Sequence, residues 1–350
     1  MKKKSLNAKK KIHRNLIKLL KIKRINTNYK IFCKNIGVLK SSLNIAAAVS
    51  GGPDSLALAF FLKCYSIKNG QKVYFYHINH KLRPSSKKES KILKRKLNQF
   101  DINCKIIDWN GKKPKSNIQS MARNARYSLI LKECKKNKVN NLFLAHHIDD
   151  LYENFFIRML RGSGLRGLAS FNNIKSNFTD KISILRPLLS VQKSELIFTS
   201  KKVFNFYFED PSNENDIFKR VRIRKFISKL NEEGLDLKKM HLTLKNLSDS
   251  NNTINFYVEN NISKNATKVN KSKFILSEDF FKSPNEIVFR SLSKILKELG
   301  NKYYAPRGKD LLRLKAFING KIFSKKTLSG CVIEKTHNSV LIYKENSKIS

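Results

Sequence analysis

Cysteine is scarce in this 350-residue chain, and the few cysteines are scattered along it. No C-x-x-C pair occurs among the five, which stand at Cys33, Cys64, Cys104, Cys134 and Cys331. Paired cysteines are the usual sequence sign of a disulfide framework, a zinc site or an iron–sulfur cluster. We therefore expect small buried thiols in a reducing environment and predict a cytoplasmic location.

Long apolar segments and secretion signals are also missing. No stretch approaches the roughly 20 apolar residues that a membrane-spanning helix requires. The amino-terminal segment has no apolar core followed by a small-residue cleavage site, so we expect no membrane anchor and no secretion. A basic leader without acidic residues can mimic an organelle transit peptide, but its excess of lysine over arginine and its sparse serine disfavour that interpretation.

Acidic side chains are too few to balance the basic ones. The chain has 72 lysine and arginine residues against 26 aspartate and glutamate residues, a formal net charge of +46, and residues 1–43 contain no acidic residue. Such an excess favours a polyanionic partner, with nucleic acid first and an anionic membrane surface second. A merely solvated basic surface is the alternative, and the size of the imbalance disfavours it.

One short segment combines a buried strand, two glycines and a helix start. An apolar run at 45–49 precedes S-G-G-P-D-S, and a helical apolar run at 56–62 follows it. Glycines allow the backbone to approach a ligand closely, proline suits a first helical position, and the unpaired N–H groups of a helix start bind anions. We therefore predict a cradle for the phosphates of a nucleotide, formed by Ser50, Gly51, Gly52, Pro53, Asp54 and Ser55.

This segment is not the commoner phosphate loop G-x-x-x-x-G-K-[ST], because no lysine follows its glycines. The carboxylate of Asp54 would repel a phosphate. We expect it either to cap the helix N–H groups or to hold Mg²⁺ against the phosphates. An ordinary strand–turn–helix connection with a well-placed proline is the alternative interpretation.

Strand and helix patterns alternate through the first half of the chain. Strands are predicted at 72–78, 103–109 and 141–145, and helices at 86–100, at 118–137 and from about residue 149. The short links between them favour an α/β fold, in which a parallel sheet has helices on both faces. Ligands bind beyond the carboxyl ends of the strands in such sheets. Ser50, residues 77–80 and residues 146–150 are therefore expected to converge on one cleft.

Four parts are predicted along the chain: a basic tail and helix at 1–43, a catalytic domain at 44–215, a helical region at 216–300 and a small hairpin or α/β segment at 301–350. In the first part a mobile tail at 2–11 precedes a single helix at 12–36. Alternating Phe204, Phe206 and Phe208 indicate a strand before the boundary near residue 215. The later elements predicted are helices at 218–230, 241–260 and 283–299, a Lys/Asn-rich connection at 260–273 and a hairpin at 327–343.

Acidic and histidine side chains cluster in A-H-H-I-D-D-L-Y-E, directly after the strand predicted at 141–145. Asp150 and Glu153 are three residues apart on a starting helix, so they share a face. Acidic residues in a first helical turn often only complement the helix dipole. The neighbouring His146 and His147 leave a metal-hydrolase site open, although no further histidine-rich segment completes a ligand set.

Arginine side chains recur between these motifs, on a helical stripe, in a glycine-rich turn and in an alternating run at 220–224. An exposed basic face accounts for any of them alone. The planar guanidinium also suits an RNA phosphate or a substrate carboxylate. The candidate substrate or nucleic-acid contacts are His80, Arg83, Arg123, Arg126, Arg161, Arg220 and Arg224.

Together, these motifs resemble those of the tRNA(Ile)-lysidine synthase family in the PP-loop ATP pyrophosphatase superfamily. The resemblance covers residues 44–225 and depends on S-G-G-P-D-S, H-I-N-H-K-L-R, A-R-N-A-R-Y, A-H-H-I-D-D-L-Y-E-N, L-R-G-S-G-L-R-G-L, R-P-L-L and E-D-P-S-N, in that order. Lys81 and Ser329 stand where the family has glycine. Leu151, Tyr152 and Asn154 replace its usual Gln, Ala and Thr around the second carboxylate.

The resemblance implies an adenine nucleotide alpha hydrolase-like fold and a two-step reaction on the wobble cytidine of tRNA(Ile) with a CAU anticodon. ATP adenylates the C2 carbonyl oxygen and releases pyrophosphate, and the ε-amine of free L-lysine then displaces AMP. It further implies that Asp54 acts beside the pyrophosphate with Mg²⁺, and that Asp150 and Glu153 position the amine. The helical region at 216–300 would then bind the tRNA.

Three other functions are open to the same residues. A tRNA cytidine 2-thiolase uses a similar loop, but that class relies on paired cysteines. An ammonia-dependent ligase of the same superfamily would not need such a basic chain. A non-enzymatic RNA-binding protein with a relict loop would tolerate the loss of Asp54.

Overall fold

The fold is described from a computed structural model, which covers residues 5–37, 39, 44–81, 84–111, 118–170, 174–179, 182–209, 216–302, 305–320 and 325–345. The side chains of residues 118–120, 122–124 and 177–179 lie outside the description. The chain divides into two compact units, Met1–His241 and Leu242–Ser350. The four functional parts expected from sequence stay a prediction. Among the described residues, no helix has the length and apolar character needed to cross a membrane.

A six-stranded sheet forms the centre of the first unit, in the order β3-β2-β1-β4-β6-β5. All neighbouring pairs are parallel except β5 and β6, which are antiparallel at one edge. This confirms the predicted fold class. The strands are β1 Asn44–Ala48, β2 Val73–Asn79, β3 Cys104–Asp108, β4 Val139–Phe143, β5 Lys175–Thr179 and β6 Ile182–Leu185.

Helices cover both faces of this sheet. Adjacent residues of a strand point to opposite faces, and here Ala47 and Phe143 belong to one buried cluster while Ala46 and Leu142 belong to another. Both faces are therefore dry, as parallel strands require. The helices of this unit are α1 Leu6–Leu19, α2 Lys23–Ile36, α3 Pro53–Asn69, α4 Ser86–Gln99, α5 Ile118–Lys136, α6 Ile148–Met159, α7 Leu165–Ala169, α8 Lys193–Phe204 and α9 Lys219–Glu232.

The amino-terminal segment differs from the predicted tail and single helix. Helix α1 already begins at Leu6, where the Ser5 hydroxyl accepts a hydrogen bond from the Ala8 N–H at 3.2 Å. The chain then turns at residues 20–22 before α2 begins. The reason is the spacing of the apolar side chains, since a five-residue interval between the buried Leu20 and Ile25 breaks the 3-4 periodicity. Residues 1–4 lie outside the described residues.

Helix α2 is part of the core of the first unit rather than a separate basic arm. The fully buried Phe32 contacts Phe61 of α3 and Phe143 of β4, with ring centroids 5.8 Å and 6.5 Å apart. Its neighbour Tyr29 also meets Phe61, at 5.8 Å. The basic side chains of α2 consequently lie on the outer face of a helix that the core holds in place.

An antiparallel five-stranded sheet forms the second unit, in the order β7-β8-β11-β10-β9. Its core gathers Leu276, Phe280, Val288, Leu296 and Ile342. Helix α10, Leu237–Asn265, precedes the sheet. The other elements are β7 Ala266–Asn270, β8 Lys273–Ser277, α11 Asp279–Lys282, α12 Asn285–Leu299, α13 Gly308–Asn319, β9 Lys325–Leu328, β10 Cys331–Lys335 and β11 Ser339–Lys344.

The structure confirms the predicted hairpin, as β10 and β11, and the helices predicted at 218–230, 241–260 and 283–299. Two interpretations were wrong. The Lys/Asn-rich stretch at 260–273 is not a plain connection, because it contains β7 and the turn into β8, where the Asn270 side chain accepts a hydrogen bond from the Ser272 N–H at 2.8 Å. The strand expected at 204–208 is absent, because Phe204 ends α8 and 206–208 pair with no strand.

Two residues that depart from the family pattern adopt left-handed backbone conformations. Lys81 has φ +53° and Ser329 has φ +57°. A left-handed residue other than glycine costs about 1–2 kcal/mol, which explains why glycine suits both positions. At Lys81 local contacts offset the strain, since its N–H donates to Asn79 Oδ1 at 3.2 Å and its ammonium to Asn110 Oδ1 at 2.7 Å.

We predict that Phe32→Ala lowers the free energy of unfolding of the first unit by about 3–5 kcal/mol, because it leaves a cavity among aromatic rings. Trp109, the only tryptophan in the chain, lies in this unit and reports its urea unfolding by fluorescence. The exposed Lys30→Ala on the same helix should change the value by less than about 0.5 kcal/mol. A loss below about 1 kcal/mol for Phe32→Ala would mean that α2 does not share this core.

A second prediction concerns pH. Burial alone would raise the pKa of Asp101, but hydrogen bonds from Lys63 (2.7 Å) and His13 (2.8 Å) outweigh burial and lower it. A lowered pKa adds stability above the ordinary carboxyl pKa of about 3.9, and that stability disappears as the pH falls through the folded-state pKa. Wild type should therefore exceed Asp101→Asn in urea stability at pH 6, and the difference should shrink progressively as the pH falls below about 4. A difference that stays the same from pH 6 down to the acid-unfolding range would contradict the ion-pair explanation.

Candidate active site

The segment Ser50–Ser55 lies between β1 and α3, with Pro53 as the first residue of the helix. The buried Ser55 hydroxyl closes the loop on itself. Its oxygen accepts hydrogen bonds from the N–H groups of Ser50 and Gly51, both at 3.1 Å, and donates to the Gly52 carbonyl at 2.9 Å. These three hydrogen bonds hold the backbone of the loop from within, while Ser50 is exposed.

The two glycines of the loop have different surroundings. Gly51 has φ +96°, and a Cβ there would lie 2.7 Å from Cδ2 of Phe208. Around Gly52 the only neighbour of a Cβ would be the Ser50 hydroxyl, at 3.7 Å. The loop is therefore packed behind Gly51 and open at Gly52, as a cradle for an anion requires.

A buried histidine connects this loop to the acidic cluster. His147 follows β4 and is 4% exposed. Its Nε2 lies 3.6 Å from Asp54 Oδ2 and 3.6 Å from Asp150 Oδ2, and its Nδ1 lies 3.2 Å from Asp149 Oδ2. Burial alone would lower the pKa of His147, but Asp149, Asp54 and Asp150 outweigh it and raise the pKa to about 10. The imidazole is therefore a buried cation at neutral pH.

Two backbone N–H groups hold the carboxylates beside this cation. The N–H of His147 donates to Asp150 Oδ2 at 3.1 Å, which caps the start of α6. The N–H of Lys193, at the start of α8, donates to Asp149 Oδ2 at 3.1 Å. Burial would raise the pKa of Asp149, yet His147 and this N–H lower it. Both side chains therefore have a fixed place beside the imidazole.

Glu153 is 2% exposed and faces two arginines of α9. Arg224 Nε donates to Glu153 Oε1 at 2.5 Å. Arg220 Nη1 lies 3.9 Å from Glu153 Oε2 and 3.7 Å from Asp150 Oδ1. Burial would lower the pKa of Arg224, but the hydrogen bond and the charge of Glu153 raise it. Helices α6 and α9 thus bring two carboxylates and two guanidinium groups together in one cluster.

The carboxylate of Asp54 fits a divalent cation. Its Oδ1 is buried and has no hydrogen-bond partner among the described residues. Across the same residues, no group of three or more His, Cys, Asp or Glu side chains is placed to hold a metal ion. Mg²⁺ needs no such cage, since it usually takes one or two carboxylates together with substrate phosphates and water.

The remaining predicted contacts lie at different distances from this cluster. His80 follows β2, and its ring centroid lies 6.3 Å from that of Trp109. Burial lowers the pKa of His80 to about 4, together with the nearby Arg126 and His77, so this imidazole is neutral at pH 7. Arg126 is exposed on α5, and Arg161 is exposed beyond the far end of α6, about 20 Å from its first residue. Arg83 and the side chain of Arg123 lie outside the described residues.

Three departures from the family pattern serve the packing of α6. Leu151 and Tyr152 are buried, and the Tyr152 hydroxyl donates to the Leu237 carbonyl at 2.9 Å. Asn154 Oδ1 accepts a hydrogen bond from Arg158 Nε at 3.2 Å, one helical turn away. These side chains hold the helix that carries Asp150 and Glu153.

Two contributions to the site were missed in the sequence. His147 is the bridge between loop and carboxylates, although the sequence suggested only a metal ligand there. Ser55 closes the loop instead of contacting only a nucleotide. The adjacency of His147 to D-D was a usable signal for the first, whereas the hydroxyl geometry of Ser55 depends on the folded turn.

The order of the strands in the sheet, the loop at residues 50–55 and helix α3 after it define the class of protein to which the chain belongs. A family model described as a PP-loop domain matches residues 21–231, well over half of the chain. In structure the chain is similar to the U34-tRNA thiolase NcsA from Methanococcus maripaludis, with a TM-score of 0.56, 17% identity, and coverage of 65% of this chain and 80% of that one. At that identity the similarity shows the fold alone.

Curated relatives narrow the class. The tRNA(Ile)-lysidine synthase of Wolbachia sp. subsp. Brugia malayi (strain TRS) is 34% identical over 318 residues, which cover 87% of this chain and 71% of the relative. That of Orientia tsutsugamushi (strain Boryong) is 30% identical over 331 residues, 90% of this chain and 73% of the relative. The chain belongs to the tRNA(Ile)-lysidine synthase family.

We predict that Gly51→Ala lowers the free energy of unfolding of the first unit by about 2–3 kcal/mol, because it adds left-handed strain and a collision with Phe208. Gly70→Ala is the matched control. It also has a positive φ, +69°, but open space around its Cβ, so it should lose only about 1–2 kcal/mol. Equal losses in urea unfolding would show that packing behind Gly51 contributes nothing.

Proposed function

We propose that the chain ligates free L-lysine to C2 of the wobble cytidine of tRNA(Ile) with a CAU anticodon, giving lysidine, AMP and pyrophosphate in the cytoplasm. One observation supports this proposal most directly. His147 contacts both Asp54 of the loop at residues 50–55 and Asp150 of the cluster of carboxylates and guanidinium groups on α6 and α9. One part suits a leaving pyrophosphate and the other an amino acid.

In the first step, the C2 carbonyl oxygen of cytidine forms a bond to the α-phosphorus of ATP while the α–β phosphoanhydride bond breaks. The loop would receive the pyrophosphate that leaves. The N–H of Gly52 makes only a long contact to Ser50 Oγ, 3.4 Å, so it is available to a phosphate oxygen. Asp54 would hold Mg²⁺, which neutralises charge on the pyrophosphate when bound.

In the second step, the lysine ε-nitrogen forms a bond to C2, the C2–O bond breaks, and AMP leaves. An ammonium cannot attack, so a carboxylate must receive its proton. Glu153 Oε2 is buried and has no hydrogen-bond partner among the described residues, which makes it the best-placed acceptor. Arg220, 41% exposed and 3.7 Å from Asp150, is placed to bind the α-carboxylate of the incoming lysine.

The tRNA itself accounts for the charge of the chain. A formal net charge of +46 suits the phosphate backbone, and the cytidine must leave the anticodon stack before its C2 can react. We propose that the second unit binds the tRNA and that His80, Arg83, Arg123, Arg126 and Arg161 contribute contacts nearer the base. Binding should then weaken steeply with salt.

Sulfur transfer is the nearest alternative, and the cysteines argue against it. Cys64, Cys104 and Cys134 are fully buried, and burial raises the pKa of each to about 12. A protonated, buried thiol is a poor nucleophile. None of the three is placed to carry sulfur to a tRNA base.

The test is a transfer assay with ATP, Mg²⁺, labelled lysine and a CAU-anticodon tRNA(Ile) transcript. Wild type should label the tRNA and release AMP rather than ADP. Asp54→Asn should lower pyrophosphate release at least 100-fold. Glu153→Gln should lower lysine transfer by about 10²–10⁴-fold, because it removes the proton acceptor, while pyrophosphate release continues.

Glu232→Gln is the charge-matched control, since Glu232 is exposed near the end of α9. It should leave both steps unchanged. Labelling from a sulfur donor but not from lysine would make the chain a thiolase instead. Full activity in Asp54→Asn would contradict the role of the loop.

A further inference from the structure

The segment that follows α8 contacts the phosphate-binding loop from behind. After Phe204 the chain turns at Asn205, whose φ is +48°, and runs without helix or strand through residues 206–208. The N–H of Phe208 then donates to the Gly51 carbonyl at 2.9 Å. The Phe208 ring lies against the same glycine, where a Cβ would be 2.7 Å from Cδ2 and 3.4 Å from Cε2.

The contact between Phe208 and Gly51 fixes the direction of the Gly52 N–H, a hydrogen-bond donor of the loop. The Gly51 carbonyl and the Gly52 N–H belong to one trans peptide unit, in which the two groups point in opposite directions. Because Phe208 holds the carbonyl towards the protein, the Gly52 N–H must point to the open side of the loop. On the other side of Gly51, its own N–H donates to Ser55 Oγ at 3.1 Å, so both peptides that flank the residue are held.

A second hydrogen bond from α8 holds the next turn of the loop. The fully buried Ser200 donates from its hydroxyl to the Pro53 carbonyl at 2.6 Å. Phe206 packs edge-to-face on Phe208, with centroids 4.8 Å apart, and supports the ring from the outside. The loop is therefore held at two points, by α8 and by the segment that follows it, about 150 residues away in the sequence, and Phe208 is the residue that reaches the glycine.

We propose that Phe208 is a positioning residue for the adenylation step. Its N–H and its ring set the Gly51–Gly52 peptide so that the Gly52 N–H faces the phosphates of ATP. This inference rests on the proposed function for its reaction, but only on the loop for its ligand. It requires that loss of the ring weakens the binding of ATP, and of inorganic pyrophosphate, while tRNA binding stays as it was.

The experiment compares Phe208→Ala, Phe208→Leu and Tyr207→Ala in the full chain by calorimetric titration with ATP–Mg²⁺ and, separately, with pyrophosphate–Mg²⁺. Tyr207 is the matched control, because it is a half-buried aromatic residue on the same segment whose ring faces Lys201, 5.9 Å from its ammonium. Phe208→Ala should raise both dissociation constants tenfold or more. Phe208→Leu should raise both dissociation constants about threefold to fivefold, because leucine fills only part of the space of the ring, and Tyr207→Ala should change them less than threefold.

Steady-state kinetics separate positioning from mere stability. Phe208→Ala should raise KM for ATP, with KM for lysine and the tRNA dissociation constant unchanged within twofold. A change in urea stability with ATP affinity within threefold of wild type would overturn the proposal, and so would an equal loss in Tyr207→Ala. If Phe208→Ala does not fold, Phe208→Leu decides: a threefold or greater loss of ATP affinity supports the proposal, and a smaller one overturns it.

The double variant Gly51→Ala/Phe208→Ala tests the contact itself. The loss of ATP affinity from Gly51→Ala should be smaller when Phe208 is already alanine, because the collision is gone; additive losses would contradict the contact. These titrations measure the binding of ATP and of pyrophosphate, so their results do not depend on whether the chain transfers lysine. A wild type that binds ATP but transfers no lysine would refute the proposed function and leave this inference to be judged on the binding constants.

Discussion

The site depends on the ion pairs between the buried imidazolium of His147 and three carboxylates. Taking a carboxylate out of water costs several kcal/mol unless a charge or hydrogen bonds compensate for it. Here Asp54, Asp149 and Asp150 come from the starts of α3 and α6, and a single imidazolium lies within 3.6 Å of all three. Without that cation the three helix-start acids would repel one another. Its protonated state thus links the loop and the acidic cluster.

The need to balance buried charge also explains why α9 contributes to this site. Glu153 is almost fully buried on α6, and among the described residues Arg224 and Arg220 are the cations that lie within 4 Å of its carboxylate. Removing either partner from such a pair leaves an uncompensated buried charge. The arginines therefore have a structural role before any substrate arrives, beyond the phosphate or carboxylate contact expected from their alternation in the sequence.

Much of the sheet and of the loop could be predicted from the sequence, because both follow from local patterns. The run at 45–49, the two glycines and Pro53 each have one physical explanation, and they agree. The turn between α1 and α2 could have been found in the interval between Leu20 and Ile25. Strand β7 could not, because its residues are mostly exposed and carry no apolar alternation.

The contacts that complete the site were out of reach for another reason. Ser200 and Phe208 touch the loop across about 150 residues of chain, and nothing in the local sequence distinguishes Phe208 from Phe206. Periodicity indicates which side chains are buried, but not which distant backbone they meet. The alternation of Phe204, Phe206 and Phe208 suggested a strand. In the structure Phe206 and Phe208 lie in an irregular segment, where their rings pack on each other and the Phe208 N–H donates to the Gly51 carbonyl.

Both carboxylates on α6 already face a cation, Asp150 beside His147 and Glu153 beside Arg224, so we expect a bound substrate to replace one of these contacts. In the proposed complex the lysine ammonium faces Glu153 while a guanidinium faces the α-carboxylate, and every buried charge still has a partner. In the proposed complex ATP would bring further negative charge next to Asp54, where His147 already faces three carboxylates. A divalent cation bound together with the nucleotide would compensate for this charge, and it would explain a carboxylate in a loop that we propose binds phosphate.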